Sequence, residues 1–438
     1  MPPVRQDRDT PKCRKRSSGD SGRAPGGTVH ATYAIGHTRG SIAPRAGGTR
    51  VEEFDGPGAA LLQETISVSP AETGKMISRL PNEAPGPDGI PTAAIRQLPR
   101  RAMVAMTRLF NGILRTGHFP KNWKMGRVIA IPKAGKDPQL ATSQRPIMLL
   151  SHIAKLLERI ALRRLLRHLT PRQEQFGFRS GHSTTLQLAR VLHHMATEHN
   201  WGRRTVGVFL DIEKAFDRVW HPGLVFKLLN TQIPPALVRT VASFLEGRSF
   251  FVAVEDATSD PRPIHAGVPQ GSCLSPCLYG VYTDDIPTLA GQLQDWEEDV
   301  VLALYANDSA YFASSRRADL AAAKIQRVLD LLPEWLEKWR VAVNVTKTAA
   351  ILTGQQRTMP PKLRLWGQDV EWQTKVRYLG VQIDRSMRMA TQVEQVIHQS
   401  RAARSMLRPV LRSHLPLRAK LALYKGYIRS RLTYVAPL

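Results

Sequence analysis

The chain has 438 residues, 42% of them hydrophobic, ample for a large core and more than one folded unit. Lys and Arg total 62 against 36 Asp and Glu, a formal charge of +26. No apolar run is long enough for a transmembrane helix, the N-terminus lacks the apolar core of a secretory signal, and three cysteines exclude a disulfide framework.

The first fifty residues hold ten Lys/Arg and three Asp, so +7 belongs to them and +19 to the rest. A basic excess spread through a folded body suggests a polyanionic partner, nucleic acid first, although a basic protein without one fits the charge equally. Met1 to about Gly58 is rich in Gly, Pro, Ser and Arg and buries too little to offset ordering entropy, so disorder is expected. Its cluster Lys12 to Arg16 reads as a nuclear import or RNA-contact patch, or simply as solvated charge. Thr65 to Leu80 is a helix candidate with Ser69 as cap before Pro70. Asn82 to Pro91, NEAPGPDGIP, forbids regular structure, and Pro91 to Gly117 reads helical.

Lys124 to Pro132 alternates into a strand and ends in the lysine-bearing turn KAGKDP, followed by SQRPIMLLS, Ser143 to Ser151. Ile153 to Leu169 reads as a basic helix with apolar positions on opposite faces, packed on two sides or bent midway. Gln175 to Thr184 is a loop. His193, His194 and His199 lack metal-ligand companions and read as solvated helix residues.

Thr205 to Trp220, TVGVFLDIEKAFDRVW, opens with an apolar, β-branched run typical of a buried strand and ends it at Asp211. A carboxylate there is costly unless a cation meets it. Ile212 to Trp220, with Asp217, reads as a turn into a helix. Leu224 to Leu245 reads as two helices broken at Ile233-Pro234-Pro235. Phe250 to Asp256 alternates into a strand pairing with Pro263 to Ala266, and Ala266 to Pro276 is a Gly-Pro loop leading into a helix. In that loop Gly267 and Gly271 let backbone approach a substrate, and Gln270 offers an amide beside it. Cys273 and Cys277 have no second pair to complete a zinc site and read as buried small residues in a reducing compartment.

Val301 to Ser315 carries two apolar runs around Ala306-Asn307-Asp308-Ser309, a hairpin with an acid at its tip. Laid beside the first strand, it would put Asp211 and Asp308 on one edge, close enough to share a divalent ion. Leu320 to Arg340 is an amphipathic helix, Val343 to Gly354 carries Lys347, Val376 to Asp384 alternates cleanly, and Thr391 to Tyr434 is helical and basic.

FLDIEKAFDRVW (209–220), AGVPQGSCLSPCLYGVYTDDIP (266–287) and LYANDSAYFASS (304–315), in that order and spacing, resemble the palm motifs of reverse transcriptases from non-LTR (LINE, jockey-like) retrotransposons. The resemblance runs from about Leu80 to the last residue. It implies an α+β right-hand polymerase fold: a disordered basic segment over 1–58, an N-terminal extension of the fingers over 59–113, a reverse transcriptase domain of fingers and antiparallel palm sheet over 114–384, and a partial helical thumb over 385–438. It also implies a partial open reading frame, since no endonuclease sequence precedes it and the family's thumb usually continues past TYVAPL.

By that resemblance the reaction is two-metal extension of a DNA primer on an RNA template with deoxynucleoside triphosphates. It uses two Mg²⁺ ions, with Mn²⁺ as a substitute. Metal ligands would be Asp211, the Ile212 carbonyl and Asp308, and Lys347 matches a lysine thought to protonate the leaving pyrophosphate. Nucleotide contacts fall on Lys133, Arg145, Phe216, Gln270 and Gly271, with Phe216 either a steric gate against a ribose 2′-hydroxyl or a core Phe. Tyr378, Leu379 and Gly380 match the primer grip. Phe176, Phe178 and Arg179 match template contacts, or are buried aromatics beside a surface cation. Gln144 stands where the family usually has Tyr.

One departure outweighs the matches: the family's turn reads Ala-Asp-Asp, and this one reads Ala306-Asn307-Asp308. An amide oxygen still ligates but brings no charge, and losing one electrostatic stabiliser costs about 10²–10³ in rate. The expectation is therefore an RNA-directed DNA polymerase impaired at its metal site, working in nucleus or cytoplasm without a membrane anchor. The alternative is a catalytically silent nucleic-acid-binding remnant of such an element. LDIEKAFDRVW and AGVPQGSCLSP argue against an intron-encoded or telomerase-type enzyme.

Overall fold

A computed structural model describes residues 66–434 apart from 134–136, 138, 141–142, 255–256, 290–299 and 355–357. The expected disorder of 1–58 lies outside the described residues. The strands are β1 (Met125–Pro132), β2 (Gln144–Leu149), β3 (Arg204–Asp211), β4 (Arg248–Val254), β5 (Ala257–Thr258), β6 (Arg262–Ile264) and β7 (Val301–Tyr305). They continue with β8 (Asp308–Ser315), β9 (Ala349–Leu352), β10 (Leu363–Leu365), β11 (Gln368–Gln373), β12 (Lys375–Tyr378) and β13 (Val381–Asp384).

The central sheet has six strands in the order β10-β11-β9-β3-β8-β7. β3 runs antiparallel to both β8 and β9. Its side chains alternate between two cores, as a period of two requires. Val206, Val208 and Leu210 join the large core, with Ala321, Ile325, Val328 and Leu329 of helix Ala318–Lys338. Phe209 points to the other face, with Phe312 of β8 and Leu188, Val191 and Met195 of helix Thr184–Asn200. Gly207 leaves room for the Phe312 ring, which a Cβ there would meet at 2.9 Å. Burial on both faces explains why this strand is a nearly unbroken apolar run.

A second sheet, β2-β1-β4-β5 with β6 on β4, carries the basic hairpin β1–β2. β12 and β13 form a separate antiparallel hairpin. Helices Ala390–Arg412 and Leu417–Leu423 follow, interrupted between Arg412 and Leu417 where Pro416 cannot continue a helix. The α+β class and the right-hand layout are thus present. Among the described residues no helix is long and apolar enough to cross a membrane.

Several expectations are corrected. Pro91 to Gly117 is two helices, Thr92–Arg96 and Arg100–Thr116, broken at Gln97-Leu98-Pro99. The second runs unbroken through residue 113 and ends at Gly117, which caps it in the left-handed region at φ 71°. Helix His152–Leu165 is buried around most of its circumference, which explains its two apolar faces. Its buried cations are paired: Arg164 with Glu72 at 2.7 Å and Lys155 with Glu83 at 2.6 Å. His194 is half-buried rather than solvated, and burial lowers its pKa.

Phe312 is fully buried and meets Phe209 edge-on, with ring centroids 5.5 Å apart. Phe312→Ala should lower unfolding free energy by about 3–5 kcal/mol, read as a shifted urea midpoint with unchanged slope.

Candidate active site

Asp211 is the last residue of β3 and Asp308 the first of β8, and the register sets them directly opposite one another. β7 and β8 are joined by only two residues, Ala306 and Asn307, so Asp308 lies in the strand rather than in the turn. Ala306 takes a left-handed φ of 58°, a conformation that needs outside support. The support is Gln175, whose Oε1 accepts from the amides of Ala306 at 3.0 Å and Gly177 at 2.8 Å. Around it, Leu304 N donates to Glu174 O at 3.1 Å and Phe176 N to Leu304 O at 2.9 Å. This parallel bridge covers the open edge of β7. A Cβ on Gly177 would run into the Ala306 amide.

Asp211 is fixed from its other side. Asn344 N donates to Asp211 O at 2.8 Å, and Asp211 N donates to Thr348 Oγ1 at 3.3 Å. The Ile212–Val343 bridge is built from the Asn344 N to Asp211 O bond and from Glu213 N donating to Ala342 O, so it leaves the Ile212 carbonyl out. Lys347 Nζ stands 3.8 Å from Asp211 Oδ2. Both side chains are well exposed, so this pair contributes at most about 1 kcal/mol. Asp308 reaches solvent at the tip, yet the packed atoms around it push its pKa up, with the charge of Asp211 adding to the shift. Two apposed carboxylates and a carbonyl left out of the bridge are hard oxygen donors of the kind Mg²⁺ takes. Among the described residues no three His, Cys, Asp or Glu side chains are grouped to hold a metal, and Asn307, next to Asp308, is exposed.

A cavity of about 370 Å³ opens beside the pair and runs to β12, lined by Asp211, Asp308, Lys347, Lys375, Arg377 and Tyr378. Tyr378 is buried, its ring tilted on Phe209 at 5.2 Å and its hydroxyl 3.4 Å from Gln187 Nε2. Leu379 and Gly380 form the turn after it, at φ 46° and 85°, and the Leu379 carbonyl accepts from Tyr434 Oη at 2.9 Å.

Ile212 to Trp220 is a run of turns, not a helix. The bond from Glu213 N to Ala342 O and a left-handed Lys214 at φ 45° bend it away from helical geometry. The Phe216 carbonyl accepts from Val268 N at 2.8 Å, while Trp220 N donates to Tyr282 Oη at 3.3 Å. The Phe216 bond, together with Gly267 N donating to Val219 O at 2.8 Å, brings the 266–271 loop against the turn. Gln270 Nε2 then donates to Asp217 Oδ1 at 3.1 Å. Phe216 is half-buried, stacked on Tyr279 at 4.9 Å and met edge-on by Phe178 at 5.9 Å. Gly271 sits at φ 121°, with no space for a Cβ beside the Met148 carbonyl.

Lys133 and Arg145 stand together at the end of the β1–β2 hairpin, on a different sheet from the carboxylates. Lys133 N donates to Ser143 O at 2.8 Å, and the Arg145 side chain is exposed. Phe178 is 61% exposed and open to a stacking partner. Phe176 is instead engaged, edge-on to His182 at 4.6 Å and under Arg190 at 5.5 Å, and Arg179 donates to the Arg172 carbonyl at 3.3 Å. Gln175, Asn344 and Thr348 were not singled out from sequence, because a polar residue within a loop carries no local sign of a long-range partner.

Gln175→Ala would strip the acceptor from two buried amides, costing about 1–3 kcal/mol. A lower melting temperature restored by Gln175→Glu, which keeps the oxygen, checks this.

Residues 131–383 match the reverse transcriptase (RNA-dependent DNA polymerase) family. The chain is 37% identical over 402 residues to the RNA-directed DNA polymerase from mobile element jockey of Drosophila melanogaster, covering 90% of this chain and 44% of that protein. It is 36% identical to the probable RNA-directed DNA polymerase from transposon X-element of the same species, covering 83% of this chain and 40% of that one. The corresponding protein from transposon BS is 34% identical, with 83% and 41% covered. The chain thus spans less than half the length of these curated relatives. It belongs to the reverse transcriptase (RNA-dependent DNA polymerase) family.

Proposed function

We propose that this chain forms the polymerase core of a non-LTR retrotransposon enzyme that extends a DNA primer on an RNA template, with chemistry weakened at Asn307. The observation that carries this reading is the apposition of Asp211 and Asp308 across β3 and β8, with Lys347 3.8 Å from Asp211. Asp211, the Ile212 carbonyl and Asp308 would hold two Mg²⁺ ions, or Mn²⁺ in their place. When bound, such ions draw the primer hydroxyl, the reacting phosphate and the leaving oxygens together and absorb developing charge.

The chain's own residues do the rest. Lys347 gives a proton to the leaving pyrophosphate. Lys133 and Arg145 hold the triphosphate, Arg145 bidentately. Gln270 and Gly271 lie along the nucleotide, and the Phe216 ring occupies the space a 2′-hydroxyl would need. Tyr378, Leu379 and Gly380 guide the primer along the cavity with Lys375 and Arg377, and Phe178 stacks on template, with Phe176 and Arg179 shaping the loop that carries it. The basic excess supports a nucleic-acid partner whose binding weakens with salt, and such partners place its work in the nucleus or cytoplasm. The division of labour is fingers and palm over 114–384 with a helical thumb after it.

Asn307 also favours a second reading, a nucleic-acid-binding remnant that keeps the fold without the chemistry. Primer extension on poly(rA)/oligo(dT) separates the two. Asn307→Asp adds a charge without adding volume and should raise extension by about 10²-fold or more, with a lower Mg²⁺ requirement. Asp211→Asn in that background should abolish it. A folded, hybrid-binding Asn307→Asp chain with no gain would leave the remnant reading standing.

A further inference from the structure

Behind the loop that carries Gln270 and Gly271 lies a carboxylate that the reaction does not touch. Glu158, in helix His152–Leu165, is 1% exposed. A buried acid is costly unless hydrogen-bonded, and one oxygen of Glu158 takes two hydrogen bonds from that loop. Ser272 Oγ donates to Glu158 Oε2 at 2.6 Å and Cys273 N donates to the same oxygen at 2.7 Å. Ser272 Oγ in turn accepts from Leu274 N at 3.0 Å and Ser275 N at 3.3 Å, seating the start of helix Ser275–Tyr282. Burial pushes the Glu158 pKa up, and the Ser272 bond and the charge of buried Arg248 counter part of that shift.

The other side of the same loop is held by β2. Met148 N donates to the Gln270 carbonyl at 2.7 Å, and Gly271 is pressed against the Met148 carbonyl. Gln270 and Gly271 are therefore strung between two anchors, a fingers strand and a buried acid. We propose that Glu158 is a positioning residue: by fixing the Ser272–Cys273 turn it sets the angle at which Gln270 and Gly271 meet the incoming nucleotide. This rests on the polymerase reading above.

The test uses the full chain with Glu158→Ala, Glu158→Gln and Ser272→Ala, a poly(rA)/oligo(dT) hybrid and dTTP. Amide hydrogen exchange is read over residues 266–275, and dTTP affinity is measured on the chain–hybrid complex. In Glu158→Ala and Ser272→Ala, exchange should rise over 270–275 and not in the central sheet. Hybrid binding should hold while dTTP binding weakens about tenfold or more. Glu158→Gln keeps an oxygen that accepts both bonds and should stay close to the unaltered chain. A change confined to stability would leave dTTP affinity alone, so a loosened loop with unchanged affinity overturns the proposal. Unchanged exchange over 270–275 overturns it too, and Ser272→Ala decides the matter if Glu158→Ala does not fold. An unaltered chain that binds hybrid but no dTTP would instead overturn the polymerase reading, and the exchange pattern alone would then decide whether Glu158 holds the loop.

Discussion

Antiparallel pairing of β3 with β8 sets Asp211 against Asp308, and like charges directly opposite on a sheet repel. The register cannot slip to separate them, because a one-residue shift would turn both faces of β3 out of their cores. The fold thus stores an electrostatic mismatch at the ends of these two interior strands that packing enforces and a cation relieves. Lys347 relieves it in part, from 3.8 Å, and the charge of Asp211 adds to the burial that raises the Asp308 pKa. Asn307 fits this account in a specific way. On the proposed reading, an amide in place of a carboxylate at the tip would leave one charge fewer beside Asp211 and Asp308, easing the metal-free fold and weakening the hold on a divalent ion, a trade between stability and function.

Precision at those strand ends comes from loops distant in sequence. The 174–177 segment fixes the hairpin tip through Gln175, and the 343–348 segment fixes the end of β3 through Asn344 and Thr348. The 266–271 loop is held likewise, bonded to Phe216 and Val219 on one side and to Met148 on the other. The ends of β3 and β8 and the 266–271 loop are thus each held by bonds to segments distant in sequence. Sites built this way tolerate little displacement, since a 1 Å misplacement can cost about 10² in rate.

The parts legible in the sequence were those whose signal is local. β3 and the β7–β8 hairpin announce themselves by burial on both faces and a short polar turn, and Ser69 caps its helix by accepting from Glu72 N at 3.1 Å. Ile212 to Trp220 misled because Ala215, Phe216 and Val219 recur at helical spacing. Apart from the local turn in which Lys214 O accepts from Asp217 N and Arg218 N, its backbone bonds to Ala342, Val268 and the Tyr282 hydroxyl, all in other segments. Glu158 and Gln175 were illegible for the same reason: each is an ordinary polar residue until the chain 114 or 131 positions later folds against it. The palm motifs carried the identity of the site, and the geometry added how it is held.

Mn²⁺ binding tests the central claim most directly, because it reads the carboxylate pair without requiring turnover. Titrating the unaltered chain and Asp211→Asn and Asp308→Asn variants, with electron paramagnetic resonance reporting free Mn²⁺, should show weak binding by the unaltered chain that either substitution removes. Binding that survives both substitutions in folded protein would contradict the account, since the ion would then sit somewhere other than between β3 and β8.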